Sequence, residues 1–161
     1  VHPIRGAGIV IGVEERQWHG NSALYYKIQL LNQPESSVMI PTGAAKELGL
    51  RRVISQEKLK EVWRVLSAGP KSLPDDHKKR YKLLRERLKA GDVFQIAETI
   101  RDMAWRQQRK GRLNTVGKRL YEKSIKILAG EIAALQDIDL SDADVQVRTK
   151  LQEGLPSASA M

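Results

Sequence analysis

The chain has no cysteine, which excludes disulfide staples and thiolate metal sites and fits a reducing compartment. No run of about 18 apolar residues occurs, so no membrane-spanning helix is expected. Only one phenylalanine is available to fill a core. The three histidines, His2, His19 and His77, are too scattered for helical or hairpin metal-ligand spacing. The start, Val1-His2-Pro3, lacks the charged and apolar regions of a signal peptide. Glu14-Glu15 and Asp75-Asp76 are adjacent pairs whose side chains point apart rather than flanking one substrate. Gly6-Ala7-Gly8 with Gly12 lacks the preceding strand, following helix and lysine of a phosphate loop, and reads as glycines in β-bends. No Ser–His–Asp arrangement can be drawn. Neither an enzyme nor a cofactor is expected.

What is present is charge, unevenly spread. The chain has 161 residues, 41% of them hydrophobic, enough for one ordinary domain or two small ones. The net charge is +9. Residues 1–45 carry three cations and three anions, residues 46–130 carry 23 and 10, and residues 131–161 carry two and six. A local excess of this kind is the footprint of a surface that meets a polyanion. Three clusters supply it: Lys78-Lys79-Arg80 with Lys82, Arg85 and Arg87; Arg106, Arg109, Lys110 and Arg112; and Lys118, Arg119, Lys123 and Lys126. No recognition helix with Asn, Gln and Arg aimed at base edges is evident. Backbone and shape recognition, salt-dependent and weakly sequence-specific, is therefore expected.

Residues 1–41 read as strands. Runs at 7–13, 24–30 and 37–40 are separated by His19-Gly20-Asn21-Ser22 and Asn32-Gln33-Pro34-Glu35-Ser36. Three short strands close a sheet poorly, so a further strand is expected upstream of Val1. From Pro41 the period becomes helical. Ser55 caps a helix with the stripe Leu59, Val62, Trp63 and Leu66; Asp75 or Asp76 caps a second with Tyr81, Leu84 and Leu88 inward. Asp92 with Gln95 opens a third that ends at Gly111, and Asn114 or Thr115 a fourth. Ser141 with Asp144 begins a short fifth, and residues 153–161 form a disordered tail. The fold class is α+β in two parts, a small antiparallel half-barrel over 1–45 and a compact helical bundle over 46–152. Trp63 and Trp105 fall on or beside apolar stripes and read as core. Trp18, beside Arg16 in the first hairpin turn, is a candidate protein-contact residue, with packing at a strand end as the equal alternative.

The order of motifs is recognisable. Val1-His2-Pro3-x-x-Gly6-x-Gly8-x-Val10, Tyr25-Tyr26, Val38-x-Ile40-Pro41, Leu48-Gly49-Leu50-Arg51, Arg80-Tyr81-Lys82, Ala90-Gly91-Asp92, Ala97-Glu98-x-x-Arg101-Asp102 and Gly117-Lys118-Arg119 together resemble the CarD/CdnL family of bacterial transcription regulators. The resemblance runs from residue 1 to about 136, without the family's usual opening strand and its Gly-Asp pair. It implies a Tudor-like module, shared with transcription-repair coupling factors, that docks on the RNA polymerase β subunit. It also implies a helical domain that lies on promoter DNA at the upstream edge of the bubble and stabilises the open complex. One polymerase-contacting arginine falls on Arg16 and a second on Met39, where the charge is lost. The family's tryptophan wedge falls on His77, and its two basic partners on Lys79 and Lys82. Lys78, Arg109, Lys118 and Arg119 complete the expected DNA contacts. The protein so implied is a cytoplasmic, nucleoid-associated monomer with no membrane partner; a polymerase-independent DNA-binding protein is the alternative.

Overall fold

The structure, a computed structural model, describes residues 1 and 6–156, with the Trp18 side chain excepted. Three antiparallel strands come first: β1 (Gly8–Trp18), β2 (Asn21–Leu30) and β3 (Ser37–Pro41), in the order β1-β2-β3. A 3₁₀ turn at Thr42–Ala44 follows, and then five helices: α1 (Gln56–Ser67), α2 (His77–Ala90), α3 (Val93–Lys110), α4 (Thr115–Gln136) and α5 (Leu140–Gly154). The two-part α+β architecture is as expected, and the sheet of described strands is open rather than closed.

β1 extends well past the apolar run that marks it in the sequence. Its second half, Glu14 to Trp18, is polar, and pairing with β2 rather than burial keeps it extended, from Glu14 opposite Tyr25 to Trp18 opposite Asn21. Trp18 therefore ends a strand instead of sitting in the turn. The turn is His19-Gly20, both with positive φ (49° and 77°), the two-residue geometry that matches strand twist. A register shift between Val10 and Gly12 bends the strand. Ile28, Leu30 and Ile40 form the small core of the sheet, with Tyr26, Val38, Ala45 and Leu50 against it.

The helices bury a larger aliphatic core. Val62, Ile100, Ile125 and Ile132 are fully enclosed, each side chain contributing about 1.5–3 kcal/mol by leaving water. The caps follow the sequence: Ser55, Asp76, Asp92 and Asn114 each accept a backbone N–H of the first turn they precede. α5 differs. It starts at Leu140 after Asp139, whose side chain makes no capping bond, so Ser141 lies inside the helix. Its far end also departs from expectation, because Glu153 and Gly154 are helical rather than tail. Packing explains this: Leu151 is buried, and Gly154 lies so close to α1 that a Cβ there would sit 2.7 Å from the Ser67 carbonyl oxygen. Residues 157–161 of the expected tail lie outside the described residues.

Two buried carboxylates hold the fold together, one joining the sheet's exit to the bundle and one within the bundle. Glu131 on α4 receives both Arg51 guanidinium nitrogens at 2.5 and 2.6 Å and the Ile54 amide at 3.1 Å, while Arg51 Nε also donates to the Gly91 carbonyl at 2.9 Å. The segment that leaves the sheet is thereby clasped to α4 and to the turn between α2 and α3. Nearby, Gly130 of α4 faces Ala7 at ordinary van der Waals distance. Asp102 on α3 accepts from Lys71 N, Arg87 Nη1 and Arg101 Nε at 2.9–3.0 Å, tying the α1–α2 loop and α2 to α3.

Candidate nucleic-acid interface

α2 opens with a proline-preceded acid pair that fixes where its cations begin. Asp76 accepts the Lys79 amide at 3.4 Å, and its carbonyl accepts the Arg80 amide at 2.9 Å. Arg80 is not a surface cation. It is 7% exposed, and its Nη1 donates to the Pro74 and Asp75 carbonyls at 3.1 and 2.9 Å, so it holds the approach to the helix. Tyr81 turns inward too, with its hydroxyl bonded to Asn114 Oδ1 at the start of α4. With these two residues committed to structure, His77, Lys78, Lys79 and Lys82 are left exposed. The His77 side chain is 65% exposed, with Nδ1 4.0 Å from an Asp76 carboxylate oxygen.

Three helix ends converge beside them. The N-terminal part of α2, the C-terminal part of α3 and the N-terminal turn of α4 line a common cleft of about 300 Å³, which Arg80, Arg106, Lys110 and Arg112 enter. Arg106 and Lys110 also border a neighbouring groove of about 250 Å³ with Trp105 and Arg109. Arg109 is exposed, and its guanidinium lies 5.7 Å from the Trp105 ring centroid. Trp105 is half-buried, as is Trp63 on α1. Lys118 and Arg119 are exposed on the first turn of α4, where the helix dipole gives cations no benefit. Lys118 borders a third groove, shared with Arg112 and Arg148. Members of all three basic clusters thus line or border clefts at one end of the helical bundle, whereas Arg87, farther along α2, is spent on Asp102.

The sheet carries the other candidates, and they do not form one cluster. Arg16 on β1 is exposed and pairs with Glu14 at 2.8 Å, an arrangement that holds the Glu14 carboxyl below its usual range. Lys27 is 3.6 Å from the same carboxylate. Met39 lies half-buried on β3, opposite Lys27, whereas Arg16 lies opposite Ala23. Those partner positions lie four residues apart on β2, roughly 13 Å along the strand. The Trp18 side chain lies outside the described residues.

Residues 61–148 match the family described as "CarD, C-terminal domain". The chain belongs to the CarD family. Residues 1–54 of this CarD-family protein match the "CarD-like/TRCF RID domain", so the sheet and the clasped segment after it fall in one matched region and most of the helices in the other. The protein is 28% identical over 138 residues to "Putative transcription factor YdeB" of Bacillus subtilis (strain 168), covering 86% of this chain and 89% of the relative.

Some features of this CarD-family chain were not singled out from the sequence. Arg51 and Glu131 are 80 positions apart, and no local pattern joins them. Arg106 and Lys110 were already part of the second basic cluster; what the sequence did not show is the cleft they enter, which depends on how α2, α3 and α4 pack. Among the described residues, no group of three or more His, Cys, Asp or Glu side chains could hold a metal ion, and no helix is long and apolar enough to cross a membrane.

Proposed function

We propose that the protein is a non-catalytic transcription regulator that binds the RNA polymerase β subunit through its sheet (residues 1–45) and contacts promoter DNA through its helical part (residues 46–152). The basic end of the bundle lies on the DNA at the upstream edge of the bubble and stabilises the open complex. The observation that carries this reading is the convergence of exposed cations from α2, α3 and α4 on one end of a bundle whose other attachment is a near-neutral sheet. One part offers a docking module of no net charge, and the other offers several phosphates' worth of positive charge. His77, Lys79 and Lys82 stand at the junction, Lys78 beside them, with Arg109, Lys118 and Arg119 extending the track. Arg16 and Trp18 serve the polymerase face, and Met39 replaces a charge there with a thioether.

The test is co-purification of RNA polymerase with the full chain, followed by an open-complex lifetime assay across salt concentration. Capture of polymerase and a longer lifetime that shortens steeply with salt are expected. DNA binding without polymerase capture would support the polymerase-independent alternative instead.

A further inference from the structure

The cleft between α2, α3 and α4 has an unusual charge content. Among the described residues, four cations line it and no carboxylate does; Leu73, Leu84, Met103 and Leu113 supply the apolar remainder. Arg80 is the telling member. Its guanidinium is nearly buried, its described hydrogen bonds go only to two backbone carbonyls from Nη1, and no described acid pairs with it. Arg106, Lys110 and Arg112 likewise have no carboxylate partner among the described residues. Elsewhere in the chain the less exposed arginines are paired: Arg87 and Arg101 with Asp102, and Arg51 with Glu131. Like charges gathered at the edge of a low-dielectric interior repel, and a compact anion seated between them removes that cost while gaining charge-assisted hydrogen bonds.

We propose that this cleft is a phosphate-binding site. It takes one phosphate group, with Arg80 as the fixed anchor, held by its backbone bonds, and Arg106, Lys110 and Arg112 closing on the anion from α3 and the loop that follows. Asn114, which also lines the cleft, accepts from the Tyr81 hydroxyl and the Gly117 amide, so its side-chain oxygen is held in place. The group has two chemical sources, a backbone phosphate of the DNA or a free phosphate compound. The first deepens the DNA-contact reading and rests on it; the second does not. Neither requires the polymerase contact, so failure of polymerase capture leaves this site standing.

The full chain is titrated with inorganic pyrophosphate at constant ionic strength, held with chloride, while Tm is followed. A saturable rise is expected for the wild type and for the control K60Q/R64Q, which removes the same charge from an exposed face of α1. R106Q/R112Q should lose it. Arg112 is exposed and outside the helices, so R112E alone tests the site with little risk to folding and should weaken the rise as well. In a second arm, the slope of log affinity against log salt for a short duplex is measured. R106Q/R112Q should lower it by about one phosphate contact, ~0.9, if a DNA phosphate occupies the cleft. Competition between pyrophosphate and duplex identifies that source, and pyrophosphate binding without competition identifies a free phosphate compound. A rise retained in R106Q/R112Q, or no saturable rise in the wild type, overturns the proposal.

Discussion

His77 stands at the first helical position of α2, solvent-exposed and beside the acid that caps the helix. An imidazole can stack on an unstacked base step but covers less area than an indole. H77W is therefore expected to lengthen the open-complex lifetime, in line with a gain of about 1 kcal/mol of stacking, and H77A to shorten it. If H77A matches the wild type and H77W gains nothing, this position is not where the duplex is propped open. Glu14 sets a contrasting case on the sheet. The Arg16 hydrogen bond, above all, lowers its pKa, so any stability the pair contributes is present above the usual carboxylate value and lost as pH falls through the lowered one. Both partners are well exposed, so E14Q should leave the denaturation midpoint essentially unchanged while freeing Arg16 for a partner.

At the scale of elements, α2 and α4 are coupled through one hydroxyl. Tyr81 donates to Asn114, which also accepts the Gly117 amide at 2.8 Å, so the cap of one helix is oriented by the core face of another. Y81F should cost about 1 kcal/mol in urea denaturation, with DNA affinity falling little, because Tyr81 itself is buried. The caps and stripes of α1 to α4 were readable because the decisive residues lie within a turn of one another. α5 began one residue before Ser141 because a serine–acid spacing is only a local preference, and the packing of Ala143, Val147 and Leu151 chose the frame. The polar half of β1 was unreadable for the complementary reason: an edge strand is held by its ladder, which leaves no alternation in the sequence. The charge of the candidate interface was visible as a block, and the family register set Arg80 apart from Lys79 and Lys82 as a structural residue. The physical basis of that separation, the loop at Pro74 and Asp75 folded back onto the guanidinium, is visible only in the fold.

For the whole molecule, the proposed activity requires two contacts made at once, so the joint between sheet and bundle matters as much as either surface. Glu131 is 1% exposed and accepts three donors, all from residues 51–54. Its amide counterpart keeps the shape but leaves the Arg51 guanidinium without its counter-charge. E131Q should therefore cost about 3 kcal/mol, measured by denaturation. The functional consequence is separable from that loss. Under conditions where E131Q remains folded, the sheet and the basic end each retain their own surface, so polymerase capture and duplex binding assayed separately should stay near wild type. Tethering raises the local concentration of the second contact only when the geometry lets both engage together. Loosening the clasp spreads the angle between the parts and lowers that effective concentration, so the open-complex lifetime should shorten although each binary affinity is kept. Equal lifetimes for E131Q and wild type, with both proteins folded, would show that the joint does not set the geometry and that the two contacts act independently.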